Sequence, residues 1–159
     1  MPIVRPTWVS FGGTAAIVTS MGLVFGLDAA ESSRQTIVGA LLIIALADNL
    51  SDSLSVHLYQ EAERLESREA FVSTAANFAT RLVLALSFVA LVIALPRELM
   101  KVVVPCWGFL LLALLTAWIA HARRAPVGRE IAKHLAVGAV VLAISRWLGL
   151  WIAAAFPKA

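Results

Sequence analysis

The sequence predicts an all-α fold, a polytopic membrane protein of five transmembrane helices. Of its 159 residues 60% are hydrophobic and only 14% charged, well beyond the roughly 45–50% apolar content of soluble domains. Five apolar runs, near residues 9 to 27, 37 to 58, 74 to 95, 102 to 120 and 135 to 156, approach the about 20 helical residues that cross a hydrocarbon core. None shows the strict alternation of a barrel strand. Backbone groups in lipid must be satisfied within the element, so helices are the simplest solution. The chain, 1–159, reads as one five-helix domain.

The first run follows Arg5 and ends near Asp28-Ala29-Ala30, which superficially suggests a cleaved signal peptide. Its apolar stretch exceeds the usual 7–15 residues of such a peptide, and Gly12, Gly13, Gly22 and Gly26 suit close helix packing, so we expect a retained helix. The second run turns polar in its second half. Arg81 lies near the start of the third and Arg146 near the middle of the fifth. The fourth carries Cys106, which as the single cysteine leaves no partner for an internal disulfide and reads as a small packing residue. The connections hold charges or breakers: Asp28, Glu31 and Arg34; the Glu/Arg segment from Glu61 to Glu69; Pro96-Arg97-Glu98; and Arg123-Arg124-Ala125-Pro126 with Gly128. None is long enough for a separate soluble domain.

Arg5, Arg64, Arg68, Arg123, Arg124, Arg129 and Lys133 fall on one side of this topology and Arg34, Arg97, Lys101 and Lys158 on the other. The bias predicts a cytoplasmic N-terminus and a C-terminus outside or in a lumen, in an inner or plasma membrane. The net charge of +3 is spread over loops without the aromatic interleaving of a nucleic-acid surface, so no nucleic-acid partner is expected. Trp8, Trp107, Trp118, Trp147 and Trp151 suit interface anchoring or lipid contact, and His121 and His134 the interface beside the basic loop.

At about 100° per residue, Asp48, Asp52, Ser55 and Tyr59 share one stripe of the second helix, with Asn49 and Ser53 beside them and Ile43, Ala47, Leu50, Leu54 and Leu58 opposite. An aspartate near mid-membrane costs at least about 2.5–3.5 kcal/mol unless paired, hydrated or neutralised. A divalent cation held by carboxylate, amide and hydroxyl oxygens of Asp48, Asp52, Asn49 and Ser55 would relieve this. Ion pairing to Arg81 or Arg146, or exposure to water, would serve as well. His57 falls roughly opposite Asp48 on this wheel, which places it away from such a site.

The pattern resembles the vacuolar iron transporter family. Ile17-Val18-Thr19 with Gly22, Val24 and Gly26 looks like that family's Asp-Gly-Ile-Val-Thr segment; Ala45, Ala47, Ser51-Asp52 and Leu54-Ser55 look like its Ala-Asp-Gly-Leu-Ser-Met run; Gly138-Ala139 and Gly149 look like its glycine-spaced last helix. The departures are Ala15 and Ala16 where the family has aspartate and glycine, Val56 where it has a methionine ligand, and Tyr59-Gln60-Glu61 in place of Gly-Glu-Tyr. The family also carries a glutamate-rich cytoplasmic domain, for which Glu61, Glu63, Glu66 and Glu69 are too short a run; a solvated helix with Glu-Arg pairs fits them, with Glu61 available to a metal-attracting mouth.

The resemblance implies a homodimer that moves Mn2+ or Fe2+, passively or with protons, with no tightly bound cofactor. Asp52 would be the principal ligand, Asp48 a substitute for the carboxylate missing at Ala15, and Asn49 and Ser55 auxiliary oxygens. The other reading is a family member inactive in transport, a structural or accessory subunit of a larger membrane assembly. No nucleophile, base and orienting group assemble from these residues, so no enzymatic activity is expected.

Overall fold

A computed structural model describes residues 6–62 and 67–156. The described residues form helices α1 (Pro6–Ala29), α2 (Arg34–Ile43), α3 (Asn49–Ala62), α4 (Ser67–Ala94), α5 (Arg97–Ala122) and α6 (Val127–Ala155), with a π-helical turn, Ile44–Asp48, joining α2 to α3. No strand occurs among them. Five helical segments are long and apolar enough to cross a membrane: Gly12–Ala29, Arg34–Tyr59, Phe71–Ala94, Arg97–Ala122 and Val127–Ala155. This is the pattern of an integral membrane protein.

Helix α1 runs through the middle of the bundle, against α2, α4, α5 and α6. Its apolar residues therefore lie on several sides of the helix, as enclosure requires. Ile17, Met21 and Val24 meet Phe88 and Val92 of α4, Val104 and Leu112 of α5, and Leu142 of α6 in one core. Glycines allow this closeness. A Cβ at Gly26 would stand 3.0 Å from the carbonyl oxygen of Ser145, and one at Gly149 would strike the carbonyl oxygen of Gly26.

Helix α3 packs on α4, whereas α6 packs on α1 and α5. Ala40 of the second span and Val141, Ser145 and Gly149 of α6 border one groove over α1. At one end of the bundle, Asp28 lies in the last turn of α1 with its side chain largely buried and accepts a hydrogen bond from Arg97 Nε at 2.7 Å. The loop carboxylate expected there is half of an ion pair. Arg34 donates to the carbonyl oxygens of Ile93 (3.1 Å) and Leu95 (2.8 Å), which satisfies carbonyls at the end of α4. Ser33 caps α2 by accepting from the Thr36 backbone N–H.

Helices α1 and α5 both close with the hydrogen-bond pattern of a Schellman motif, Ser32 N–H to Leu27 O and Ala125 N–H to Ala120 O. The left-handed residue in each is not glycine: Glu31 and Arg124 both have φ of 55°. The left-handed conformation costs a residue with a Cβ roughly 1–2 kcal/mol. Arg124→Gly is therefore expected to stabilise the protein by about 1 kcal/mol, read as a higher unfolding temperature in detergent micelles. An unchanged or lower temperature would mean that the Arg124 side chain holds the loop by contacts outweighing its backbone strain.

Candidate functional site

The inward faces of two neighbouring spans change character along their length. On the second span the buried residues are Ile37, Leu41 and Ala45, then Asn49 and Ser53. On the described part of α4 they are Ser73, Asn77 and Arg81, then Ala85, Phe88, Val89 and Val92. The two spans run in opposite directions, so the polar parts meet. The result is a buried polar cluster of Asn49, Ser53, Ser73, Asn77 and Arg81 at one end of a mostly apolar interior. Asn49 Nδ2 ties α3 to α4 by donating to the Phe78 carbonyl oxygen at 2.9 Å.

The π turn explains how the second span keeps one face inward. Residues 37 and 53 of a regular helix would diverge by about 160° around the axis, while one inserted residue returns about 100° of that drift. Asn49 and Ser53 consequently continue the buried ridge of Ile37 and Leu41, with His57 following at the same four-residue interval and partly buried. Asp48 and Asp52 occupy the shoulder of the ridge.

Arg81 reaches that shoulder from inside the bundle. One guanidinium nitrogen, Nη2, donates to Asp48 Oδ2 at 2.8 Å, and Nη1 donates to Asp52 Oδ2. Two carboxylates one helical turn apart match the forked donors of a single arginine. The arginine is 5% exposed, whereas the Asp48 and Asp52 side chains are 49% and 39% exposed. The cation is therefore interior and the anions face outward. Helix α1 presses on this arrangement: a Cβ at Gly12 would lie 2.8 Å from Arg81 Cδ and would collide with the Asn77 side chain.

Several buried polar atoms here have no protein partner: Asn49 Oδ1, Ser53 Oγ, Asn77 Nδ2 and Arg81 Nε. Buried polar atoms of this kind call for water or another polar occupant. A cleft of about 10 Å³ bounded by Ser20, Asp48, Asn49 and Arg81 has room for roughly one water.

The structure thus brings Asp48, Asn49 and Asp52 together with Arg81. Ser55, one turn past Ser51, is exposed and donates to the Ser51 carbonyl oxygen at 3.0 Å. Glu61 falls in the last turn of α3, and its side chain lies outside the described residues, as do Glu63 and Glu66. Arg146, the other ion-pair candidate, is exposed on α6, its guanidinium 5.7 Å from the centre of the Phe25 ring, a cation–π contact. Its contact is an aromatic face of α1. Ser73 and Asn77 were missed in the sequence, although Ser73, Asn77 and Arg81 recur every four residues and so mark a polar helix face. No family model, curated protein or solved structure matches the chain.

Proposed function

We propose that the chain is a divalent metal cation transporter, passive or proton-coupled, that carries Mn2+ or Fe2+ along the outward face of the second span. The observation that carries this reading is the exposure of Asp48 and Asp52, 49% and 39%, on an apolar spanning helix. Carboxylates so placed are costly against lipid chains, so this face meets water or a second copy of the chain. With Arg81 counted, the group Asp48, Asp52 and Arg81 carries a charge of −1 when all are ionised, which draws cations.

Among the described residues no three His, Cys, Asp or Glu side chains gather around one point. A hard cation on the exposed side of the two carboxylates would complete its oxygen shell from exposed serine hydroxyls, water and the same residues of a facing copy, which favours a homodimer. The lysine and arginine bias supports a cytoplasmic N-terminus. These features fit the resemblance to the vacuolar iron transporter family, in a form without the cytoplasmic metal-binding domain. A second reading, a transport-inactive structural or accessory subunit, is favoured by one observation: Arg81 already bonds both carboxylates.

Uptake of Mn2+ and Fe2+ into proteoliposomes of the purified protein separates the two. Saturable uptake is expected. A well-folded protein that gives no flux above empty vesicles for either ion would sink the transport reading and favour the structural one.

A further inference from the structure

We infer that Arg81 is a tethered cation occupying the carboxylate pair, and that a divalent ion binds tightly only by displacing it. This rests on the transport reading, and deepens it by naming the residue that sets the affinity of the site. The geometry divides the site into two sides. Arg81 bonds Asp48 Oδ2 and Asp52 Oδ2 from the buried side, while the exposed side of the same carboxylates is open to an incoming ion.

Charge then decides the outcome. A divalent ion added to the intact triad changes its charge from −1 to +1 and sets the ion against a guanidinium bonded to the same two carboxylates. With Arg81 buried and the carboxylates half-exposed, that repulsion is only partly screened by water. Withdrawal of the guanidinium leaves two carboxylates for one divalent ion, a neutral set.

The polar cluster offers the guanidinium somewhere to go. Asn49 Oδ1 and Ser53 Oγ are buried acceptors without protein partners. Each belongs to the chain neighbour of a bonded carboxylate, Asn49 following Asp48 and Ser53 following Asp52. A retreat from the shoulder of the helix to its buried ridge exchanges two charged acceptors for two neutral ones. The arginine that pairs the empty site thus becomes the competitor an arriving ion must overcome. Lysine would compete less well, since its single ammonium lacks the fork that spans both carboxylates.

The test is radioactive Mn2+ binding by equilibrium dialysis on the purified protein in detergent, with size exclusion and circular dichroism confirming the fold. Arg81→Gln is expected to bind Mn2+ at least about tenfold more tightly than the parent, as removal of a nearby like charge requires. Asp52→Asn added to Arg81→Gln should lose most of that gain. Millimolar guanidinium should weaken Mn2+ binding in Arg81→Gln and leave the parent unaffected, a response that a merely structural arginine would not produce.

Measurable binding in the parent with equal or weaker binding in folded Arg81→Gln would overturn the competitor role and leave the transport reading standing. Absence of binding in both would overturn the transport reading and the inference with it. Should Arg81→Gln fail to fold, Arg81→Lys takes its place: a few-fold tighter binding supports the inference, and unchanged or weaker binding overturns it.

Discussion

Replacing Asp52 with asparagine is expected to lower saturable Mn2+ uptake at least about 100-fold with little change in protein yield. The substitution preserves shape and removes one charge, taking the triad of residue 52, Asp48 and Arg81 from −1 to zero. A unit charge about 4 Å from another is worth ≈ 4 kcal/mol at an effective dielectric of 20 and ≈ 1 kcal/mol in water. Asp52 is 39% exposed, so its effect lies between these limits, and it is doubled against a divalent ion. About 2.7 kcal/mol suffices for a 100-fold loss. Arg81 keeps Asp48 as a partner, which protects the fold from an unpaired buried cation. Uptake by Asp52→Asn within threefold of the parent would remove this carboxylate from the cation path.

The second large effect concerns assembly. Gly149→Val is expected to destabilise the bundle by about 3 kcal/mol or more, at the upper end of overpacking costs, and to abolish a monodisperse peak in size exclusion. The first added carbon would strike the Gly26 carbonyl oxygen and stand 2.8 Å from Ala29 Cβ and 3.0 Å from the Ala30 backbone nitrogen. Two of these neighbours are backbone, so relief requires α6 to back away from α1. Helix association in lipid depends on such close van der Waals contact, because lipid chains are as apolar as the side chains they replace. Gly39→Ala is the control, with no atom within 4 Å of the added Cβ. Near-equal thermal midpoints for Gly149→Val and Gly39→Ala would show that α1 and α6 do not meet as described.

Both predictions touch features with different visibility in the sequence. The apolar runs showed where spans lie, since span length is imposed by the bilayer. Their helices extend further: α6 begins at Val127, where the apolar run suggested 135, because charged turns outside the hydrocarbon remain helical. Asp48 and Asp52 stood out because a carboxylate within an apolar run demands compensation. The π turn did not, since the outward side of this span is apolar too, with Leu46, Leu50, Leu54 and Leu58 exposed, so hydrophobic spacing alone does not tell which side is buried. It is settled by which side chains the neighbouring helices will bury. Gly149 was readable as a small residue suited to packing, but not as the one whose neighbour is the backbone of Gly26.

By itself the sequence determined the solvent, the number of apolar helices and the presence of two carboxylates needing a counter-charge, because these follow from composition and run length. It offered both Arg81 and Arg146 for that charge, with Arg146 the more in need of a partner. Tertiary structure decided between them. Glycine contacts bring α1 against both α4 and α6, so α4 turns Arg81 toward the second span while Arg146 of α6 rests over Phe25 of α1. Helix rotation is set by the summed packing of all neighbours, and no periodicity within a single helix contains that information.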